Sequence, residues 1–340
     1  MATMKDIAVR ANVSVVTVHK CIYGKPGVSE ETRRRVLELV EEMHYTASAM
    51  TPRRDALRLA VVCPEMPSGQ NSFFHNLHLG IRRAGEELEP KGVELDYYPC
   101  GNGAIQADIL SDLARREELD GVAVCCLDDS QMGAQFSALH DRGIPIVTFN
   151  AEARNSCRLA HVGPPARDMG ALAAELLCKM RDDHRRLLMV GGDKRMANLR
   201  ANTAGFYDYI QTHHPEYSLL EVNNASNRDL AEELGKVLTS LDDVTGVYCS
   251  MTRNGKLVCE TLQRLGLEQR VKLVCTDVFT DLQPYLEDGT VDATIWQDPR
   301  SQSYNALMLL YHYLTTGRLN EDYFNIRICP VMCSNFSYFL

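Results

Sequence analysis

The sequence predicts an α/β protein in two parts, a small three-helix module followed by a two-lobed body of parallel sheets. Three observations predict it. Apolar residues fall at helical spacing through residues 1–45, short apolar runs alternate with amphipathic stretches from residue 57 onward, and the charge changes sign between the two regions. Residues 1–60 hold ten Lys/Arg against seven Asp/Glu, a net of +3, while the remaining 280 hold 26 against 38, a net of −12. A basic module on an acidic body points to a polyanionic partner for the module alone. A solvated helix face accounts for Arg33, Arg34 and Arg35 equally well.

In the first part, Ile7, Ala8 and Ala11 give the stretch from Lys5 one apolar face. Asn12-Val13-Ser14 breaks that helix, and Ser14 is a good N-cap for the next, because its hydroxyl can accept from a free backbone N–H. Val18, Cys21 and Ile22 then share the i, i+3, i+4 spacing of an inward face. Gly24-Lys25-Pro26-Gly27 forms a turn. Ser29 caps a third helix with Glu30 and Glu31 at its positive end and Val36, Leu37, Val40 and Met43 expected inside. Three helices with a tight turn between the first two make a helix-turn-helix module. Residues 46–56, TASAMTPRRDA, read as a linker.

The body, residues 57–340, offers strands at Leu57–Cys63, Val93–Tyr98, Gly121–Cys126, Ile144–Phe149, Leu187–Gly191, Val247–Cys249, Val271–Cys275 and Ala293–Trp296. Helical stretches between most of them are the signature of parallel α/β sheets, and this many units implies two sheets. Ligands of such folds sit at the carboxyl ends of strands or between lobes.

Composition narrows the function classes. Hydrophobic residues at 45% and charged residues at 24% describe a soluble globular chain, and no apolar run reaches the ~18 residues a membrane span needs. The N-terminus lacks the features of a secretory signal, so a cytoplasmic location is expected. The twelve cysteines are scattered through strand-like runs, where they act as small hydrophobes. Reduced thiols, no metal site and no cofactor are expected. There is no GxSxG and no Walker A sequence, hence no expected enzyme activity. Gly101-Asn102-Gly103 starts like a dinucleotide fingerprint, but Gln106 stands where the third glycine belongs, so it reads as a turn. His213-His214 before Pro215 reads as a helix end.

What remains is a set of polar and aromatic residues just past strand ends: Asn71, Phe73 and Phe74 after the first strand, Asn150 after the fourth, then Asp277 and Gln297. Aromatics, amides and a carboxylate together suit a polyhydroxylated ligand, whose desolvated hydroxyls each need donors and acceptors. The bland alternative is turn chemistry, since Asn and Asp after strands often cap helices.

These residues carry a family resemblance. The segment MKDIAVRANVSVVTVHKCIYGKPGVSEETRRRVLELVEEMHY resembles the DNA-binding headpiece of the lac repressor (LacI/GalR) family over its full length. The body resembles the type I periplasmic sugar-binding fold that serves as that family's effector-sensing core, most specifically at DGTVDATIWQDP, residues 288–299. The resemblance covers nearly the whole chain. It implies that the helix starting at Ser14 is the recognition helix, with Val15, Val16 and His19 at base-reading positions beside Thr17 and Lys20. The family usually has Ser-Arg where this chain has His19-Lys20, so an altered half-site is implied. Valine can read only by apolar contact such as with a thymine methyl, and lysine lacks arginine's fork.

The linker departs further. Thr51-Pro52-Arg53-Arg54 places arginine where the family's leucine wedges into the minor groove, and a proline would break a short hinge helix. Arg53 and Arg54 are expected to hold phosphates or the groove electrostatically, with Met50 as an alternative wedge. In the core, Asn71, Phe73, Phe74, Asp277 and Gln297 match the family's sugar contacts. Asn150 replaces a usual aspartate, and Asn202 falls where an arginine clamps the ligand, with Arg200 two residues away as a stand-in. The loss of a carboxylate and a guanidinium implies a neutral ligand held mainly by amides.

The expectation is therefore a repressor that binds a double-stranded DNA operator as a homodimer and responds to a small sugar or polyol between its lobes. Its alternative is a solute-binding receptor of the same fold without gene control. The C-terminal SNFSYFL carries no heptads for a tetramer.

Overall fold

The computed structural model describes residues 4–22, 28–43, 56–65, 72–153, 156–181, 183, 185–223 and 227–340. The chain divides into two compact units, Met1–Leu57 and Arg58–Leu340.

The first unit holds α1 (Met4–Ala11), α2 (Val15–Ile22) and α3 (Glu30–Glu42). Asn12 ends α1 in the left-handed conformation, φ 50°, which asparagine tolerates better than most residues. The N–H of Val13 then reaches back to the carbonyl of Ala8 at 3.0 Å and closes the turn. Ser14 Oγ accepts from the N–H of Thr17 at 3.0 Å, the N-cap its position implied. Ser29 does the same for Thr32 at the start of α3. Ile7, Ala8, Ala11, Val18, Cys21, Val36 and Val40 form the buried core, with Ile22, Leu39 and Met43 packed against it. Leu37, expected inside, lies instead on the face of α3 that carries Glu30, Arg34 and Glu41, and Leu39 takes the inner place. Val36, Leu39, Val40 and Met43 fit an i, i+3, i+4, i+7 stripe, and Leu37 falls outside it.

The second unit contains two six-stranded sheets. The N-lobe sheet runs β11-β5-β4-β3-β1-β2 and the C-lobe sheet β12-β10-β9-β8-β6-β7. Its chain order starts with β1 (Leu57–Pro64), α4 (Ser72–Leu88), β2 (Val93–Cys100), α5 (Gly103–Leu113), β3 (Gly121–Val124), α6 (Gly133–Asp141), β4 (Ile146–Phe149) and β5 (Ala160–Gly163). The chain then crosses to the C lobe for α7 (Ala166–Met180), β6 (Arg186–Gly191), α8 (Ala197–His213), β7 (Ser218–Asn223), α9 (Asn227–Ser240), β8 (Val244–Cys249), α10 (Thr252–Arg264), β9 (Lys272–Thr276), α11 (Gln283–Glu287) and β10 (Ala293–Trp296). It returns for α12 (Pro299–Thr316), which packs on α4, and for β11 (Tyr323–Asn325). It crosses once more to β12 (Cys329–Val331), which lies antiparallel to β10. Three segments therefore join the lobes: Pro164-Pro165, Gln297-Asp298 and residues 326–328.

Every strand expected from sequence is present, with ends moved by a few residues. Four are additional: β5, β7, β11 and β12. His161 interrupts the apolar character of β5, and β11 and β12 have three residues each, with Pro330 in β12 at a sheet edge. Asn102 caps α5 by accepting from the N–H of Ile105 at 3.0 Å, so the Gly-Asn-Gly stretch is turn chemistry. His213 ends α8, and the His214 N–H bonds the carbonyl of Ile210. The cysteines are free, seven of the twelve being buried in the two core sheets and their helices.

Two glycines fix the C lobe. A β-carbon on Gly170 of α7 would stand 1.9 Å from the carbonyl oxygen of Asn202, and one on Gly205 of α8 would stand 1.8 Å from that of Arg167. The two helices touch backbone to backbone there, and no side chain rotation can relieve the clash. Gly170→Ala and Gly205→Ala should each lower stability by about 2–3 kcal/mol, measured by urea unfolding. Unchanged midpoints would show that α7 and α8 can separate without loss.

Candidate functional site

In the headpiece, the short turn at Asn12 and the Ser14 cap position α2 against α1 and α3. Val15, at its start, is 44% exposed. Ser14 Oγ and Thr17 Oγ1 lie 2.8 Å apart, and Lys20 is half-buried on the same helix. The side chains of Val16 and His19 lie outside the described residues, as do Arg53 and Arg54 of the linker.

The arginine run on α3 has a role that its charge alone did not indicate. Arg33 Nη1 donates to the carbonyls of Lys20 and Cys21, each at 3.1 Å, and so satisfies the C-terminal end of α2. Arg35 Nη2 donates to the carbonyl of Ala11 at 2.8 Å and does the same for α1. Two of the three arginines thus tie the helices together through their negative ends.

In the core, the polar residues at strand ends form one buried hydrogen-bonded chain that runs from lobe to lobe. Asn150, after β4, donates from Nδ2 to Gln302 Oε1 on α12 at 3.1 Å. Gln302 Nε2 donates to the carbonyl of Gln297 at 2.7 Å, inside the middle crossing segment. Gln297 Nε2 donates to Asp277 Oδ2 at 3.1 Å, and the hydroxyl of Thr252, the first residue of α10, donates to the same oxygen. Asn150 and Asp277 both hold left-handed backbones, φ 61° and 71°. Burial pushes the Asp277 carboxyl up to about 6, partly offset by the two donors.

Asn202 lies on α8 in the C lobe and is buried. Its Nδ2 donates to the Tyr248 hydroxyl at 2.9 Å, which stands 3.2 Å from Thr276 Oγ1 beside Asp277. Arg200 reaches the other lobe: Nη2 donates to Asp129 Oδ2 at 2.7 Å and Nη1 to the carbonyl of Lys194 at 2.6 Å. Its guanidinium is therefore an ion-pair link between lobes. Phe73, buried in the first turn of α4, meets Phe74 edge-on at 5.4 Å. Asn71 lies outside the described residues.

A cavity of ≈ 270 Å³ opens beside the Pro164-Pro165 crossing, with Asn150, His161, Arg167, Asn198, Tyr323 and Asn325 in its wall. The structure brings Asn150 to this cavity and groups Asp277, Gln297 and Asn202 around Thr252, Tyr248 and Thr276. Sequence reasoning missed Thr252, Tyr248 and Gln302. Thr252 follows β8 closely and had the same strand-end signal as Asp277, whereas Gln302 sits within a helix, 152 residues from its partner Asn150. Among the described residues, no His/Cys/Asp/Glu group could hold a metal ion, and no helix is long and apolar enough to cross a membrane.

A helix-turn-helix unit and a two-lobed core of parallel sheets joined by three crossings define a ligand-responsive DNA-binding regulator. The family models agree: that for bacterial regulatory proteins of the lacI family matches residues 3–48, and that for the periplasmic binding protein domain matches residues 65–318. The chain belongs to the LacI/GalR family of regulators and carries a periplasmic-binding-protein-like core. Members of this family are non-catalytic, and their DNA affinity is modulated by sugar binding in that core.

Similar proteins include the HTH-type transcriptional repressor PurR of Aliivibrio salmonicida, 25% identical over 283 residues covering 78% of this chain and 79% of that one. The ribose operon repressor of Haemophilus influenzae is 36% identical over 128 residues, 38% of each chain. The uncharacterized HTH-type transcriptional regulator YkvZ of Bacillus subtilis is 35% identical over 127 residues, which span 37% of this chain and 38% of that regulator's length. Among solved structures, a putative LacI transcriptional regulator from Bacteroides fragilis superposes with a TM-score of 0.76 at 19% identity, covering 84% of this chain and all of that one. The glucose-galactose binding protein GanP from Geobacillus stearothermophilus gives 0.75 at 22% identity, covering 83% and 99%.

The raised pKa of Asp277 has a stability consequence. Its folded value of about 6 lies above the ordinary 3.8, so the native state binds more protons than the unfolded chain between about pH 4 and pH 6. Stability therefore falls as pH rises through that window, and the desolvation cost is fully present above it. Asp277→Asn should stabilise the ligand-free protein at pH 7.5 by about 1–3 kcal/mol and flatten the pH dependence between 4 and 6, measured by urea unfolding. A variant that is less stable at pH 7.5 would show that the carboxylate is held by net attraction.

Proposed function

We propose that this protein is a repressor that binds a pseudo-palindromic operator as a twofold homodimer and changes its operator affinity when a small sugar or polyol is enclosed between the core lobes. Residues 1–45 serve as the headpiece, 46–56 as the hinge and 57–340 as the effector core. The observation that carries this reading is the buried chain from Asn150 through Gln302 and Gln297 to Asp277, which runs through a crossing segment. A ligand that engages either end changes the hydrogen bonding of the segment on which the lobes must pivot. That is the differential contact between two core states that allosteric coupling requires. The likeness to a ribose operon repressor of Haemophilus influenzae and to the glucose-galactose binding protein GanP supports a monosaccharide-sized effector.

Val15, Val16 and His19 read bases on this account, with Ser14, Thr17 and Lys20 beside them and Arg53 and Arg54 on the backbone. Asn71, Phe73, Phe74, Asn150, Asn202, Asp277 and Gln297 shape the effector site, and Arg200 contributes by linking the lobes. Two headpieces that read mirrored half-sites require twofold symmetry, which the core supplies. A solute-binding receptor without gene control would share the core but has no use for a capped helix-turn-helix with an exposed Val15.

Fluorescence anisotropy on genomic fragments tests the reading. The full chain should select a discrete site with steep salt dependence, and Lys20→Ala should weaken that binding about tenfold, on the order of 1.4 kcal/mol. Purely non-specific binding that survives removal of residues 1–56 would overturn it.

A further inference from the structure

We infer that the loop between β6 and α8, with Arg200 behind it, is a latch between the two lobes: it sets how readily they part, and its release admits a ligand to the cleft. Its parts are residues 193–196 and Arg200 of the C lobe, and Asp129 of the N lobe.

The loop is fixed in its own lobe. Arg195 Nε donates to both carboxylate oxygens of Asp193 at 3.0 Å, and the N–H of Met196 donates to the carbonyl of Asp193 at 3.0 Å. Lys194 Nζ donates to Glu221 Oε2 on β7 at 3.0 Å, and Arg200 Nη1 donates to the Lys194 carbonyl at 2.6 Å. Two side chains then reach out of the C lobe. Arg200 Nη2 donates at 2.7 Å to Oδ2 of Asp129, in the loop after β3. Met196 packs against the N-lobe core cluster that holds Met132, Phe136 and Ala151. The receiving loop is also held in shape, because Asp128 accepts from the N–H and hydroxyl of Ser130 and from Gln131 Nε2. Asp193 chiefly, and Asp128 from the other lobe to a lesser extent, raise the pKa of Arg195 above its ordinary value, so Asp128 attracts the C-lobe loop as well.

Placement gives these contacts leverage. In the N-lobe sheet, β4 separates β3 from β5 and β11, where two of the crossings leave, and in the C-lobe sheet β9 and β8 separate β6 from β10. The lobes move against each other by bending the crossings, and such a rotation parts the loop after β3 from the loop after β6. The C-lobe loop is bonded to β7 and cannot follow the N lobe. The contacts that break are therefore the Arg200–Asp129 pair and the Met196 packing. The Asp129 side chain is 13% exposed, and among the described residues Arg200 is the cation that pairs with it. Its other oxygen, Oδ1, is buried without a hydrogen-bond partner. Loss of Arg200 leaves a shielded carboxylate uncompensated, a larger cost than losing a surface ion pair, and parting the lobes relieves it by returning Asp129 to water. Met196 adds apolar burial, which salt does not screen.

The test compares the full-length wild type with Arg200→Gln, Asp129→Asn and the exchanged pair Asp129→Arg/Arg200→Asp at pH 7.5, by small-angle X-ray scattering and hydrogen exchange, with no DNA or sugar added. Each single variant should have a larger radius of gyration than the wild type, and the exchanged pair should return toward the wild-type value. Arg200→Gln should also speed exchange about fivefold in residues 149–153, which lie across the cavity from Asn198 and do not hydrogen-bond Arg200. A wild-type radius in both single variants, with faster exchange confined to residues 127–131 and 193–200, would show a local surface pair and overturn the inference. Met196→Ser leaves both charges in place and should enlarge the radius in the same way; it decides the matter should a charge variant not fold. Because the readout is lobe separation alone, its failure leaves the operator and effector reading intact.

Discussion

The core depends on one constraint, the burial of the Asp277 carboxylate where the C-lobe strands meet the crossing segments. A carboxylate kept from water must have donors, and Thr252 from α10 and Gln297 from the end of β10 provide them. The carbonyl of Gln297 accepts in turn from Gln302, which accepts from Asn150; both lie in the lobe opposite Asp277. Asn150, Asp277 and Asp298 all adopt positive φ, 61°, 71° and 46°, at the points where the backbone turns out of a strand or into a helix. Asparagine and aspartate accept that geometry at lower cost than other side chains. The same residues therefore set backbone direction, satisfy each other, and stand at the strand ends where parallel-sheet proteins bind ligands.

The headpiece follows a parallel logic with opposite charge. Its excess of arginine first reads as preparation for a polyanion, yet Arg33 and Arg35 spend their donors on the carbonyl ends of α2 and α1. Arg34 points outward and pairs loosely with Glu38 at 3.9 Å on an exposed face, a contact of small energetic weight. The positive charge of the module is thus partly structural. Val15 is exposed on α2, a helix hydrogen-bonded at both ends by Ser14 and Arg33.

Much of this was legible in the sequence. The caps at Ser14 and Ser29, the turn at Asn12 and the inward Val18 and Cys21 follow from local rules and are present. Leu37 reads as inward because it follows Val36 directly, but the stripe through Val36, Leu39, Val40 and Met43 leaves it outside, and Leu39 packs on the core. Strands β5, β7, β11 and β12 escaped because a histidine, an edge position or a three-residue length erased the apolar run. In the site, Asp277 and Gln297 stood out at strand ends, but their partners did not. Gln302 is a helix residue joined to Asn150 across the fold, and the commitment of Arg200 to Asp129 spans two lobes. Long-range hydrogen bonds leave no periodic trace in a sequence.

The central claim is that core ligand and operator act on one equilibrium. Linkage requires that an effector which changes operator affinity by some factor has its own affinity changed by the operator by the same factor. The direct measurement is isothermal titration of the tightest-binding sugar into the protein alone and into the protein saturated with its operator fragment. The account predicts two different dissociation constants, whose ratio equals the ratio of operator affinities with and without that sugar. Identical effector affinity in the presence and absence of operator would contradict it.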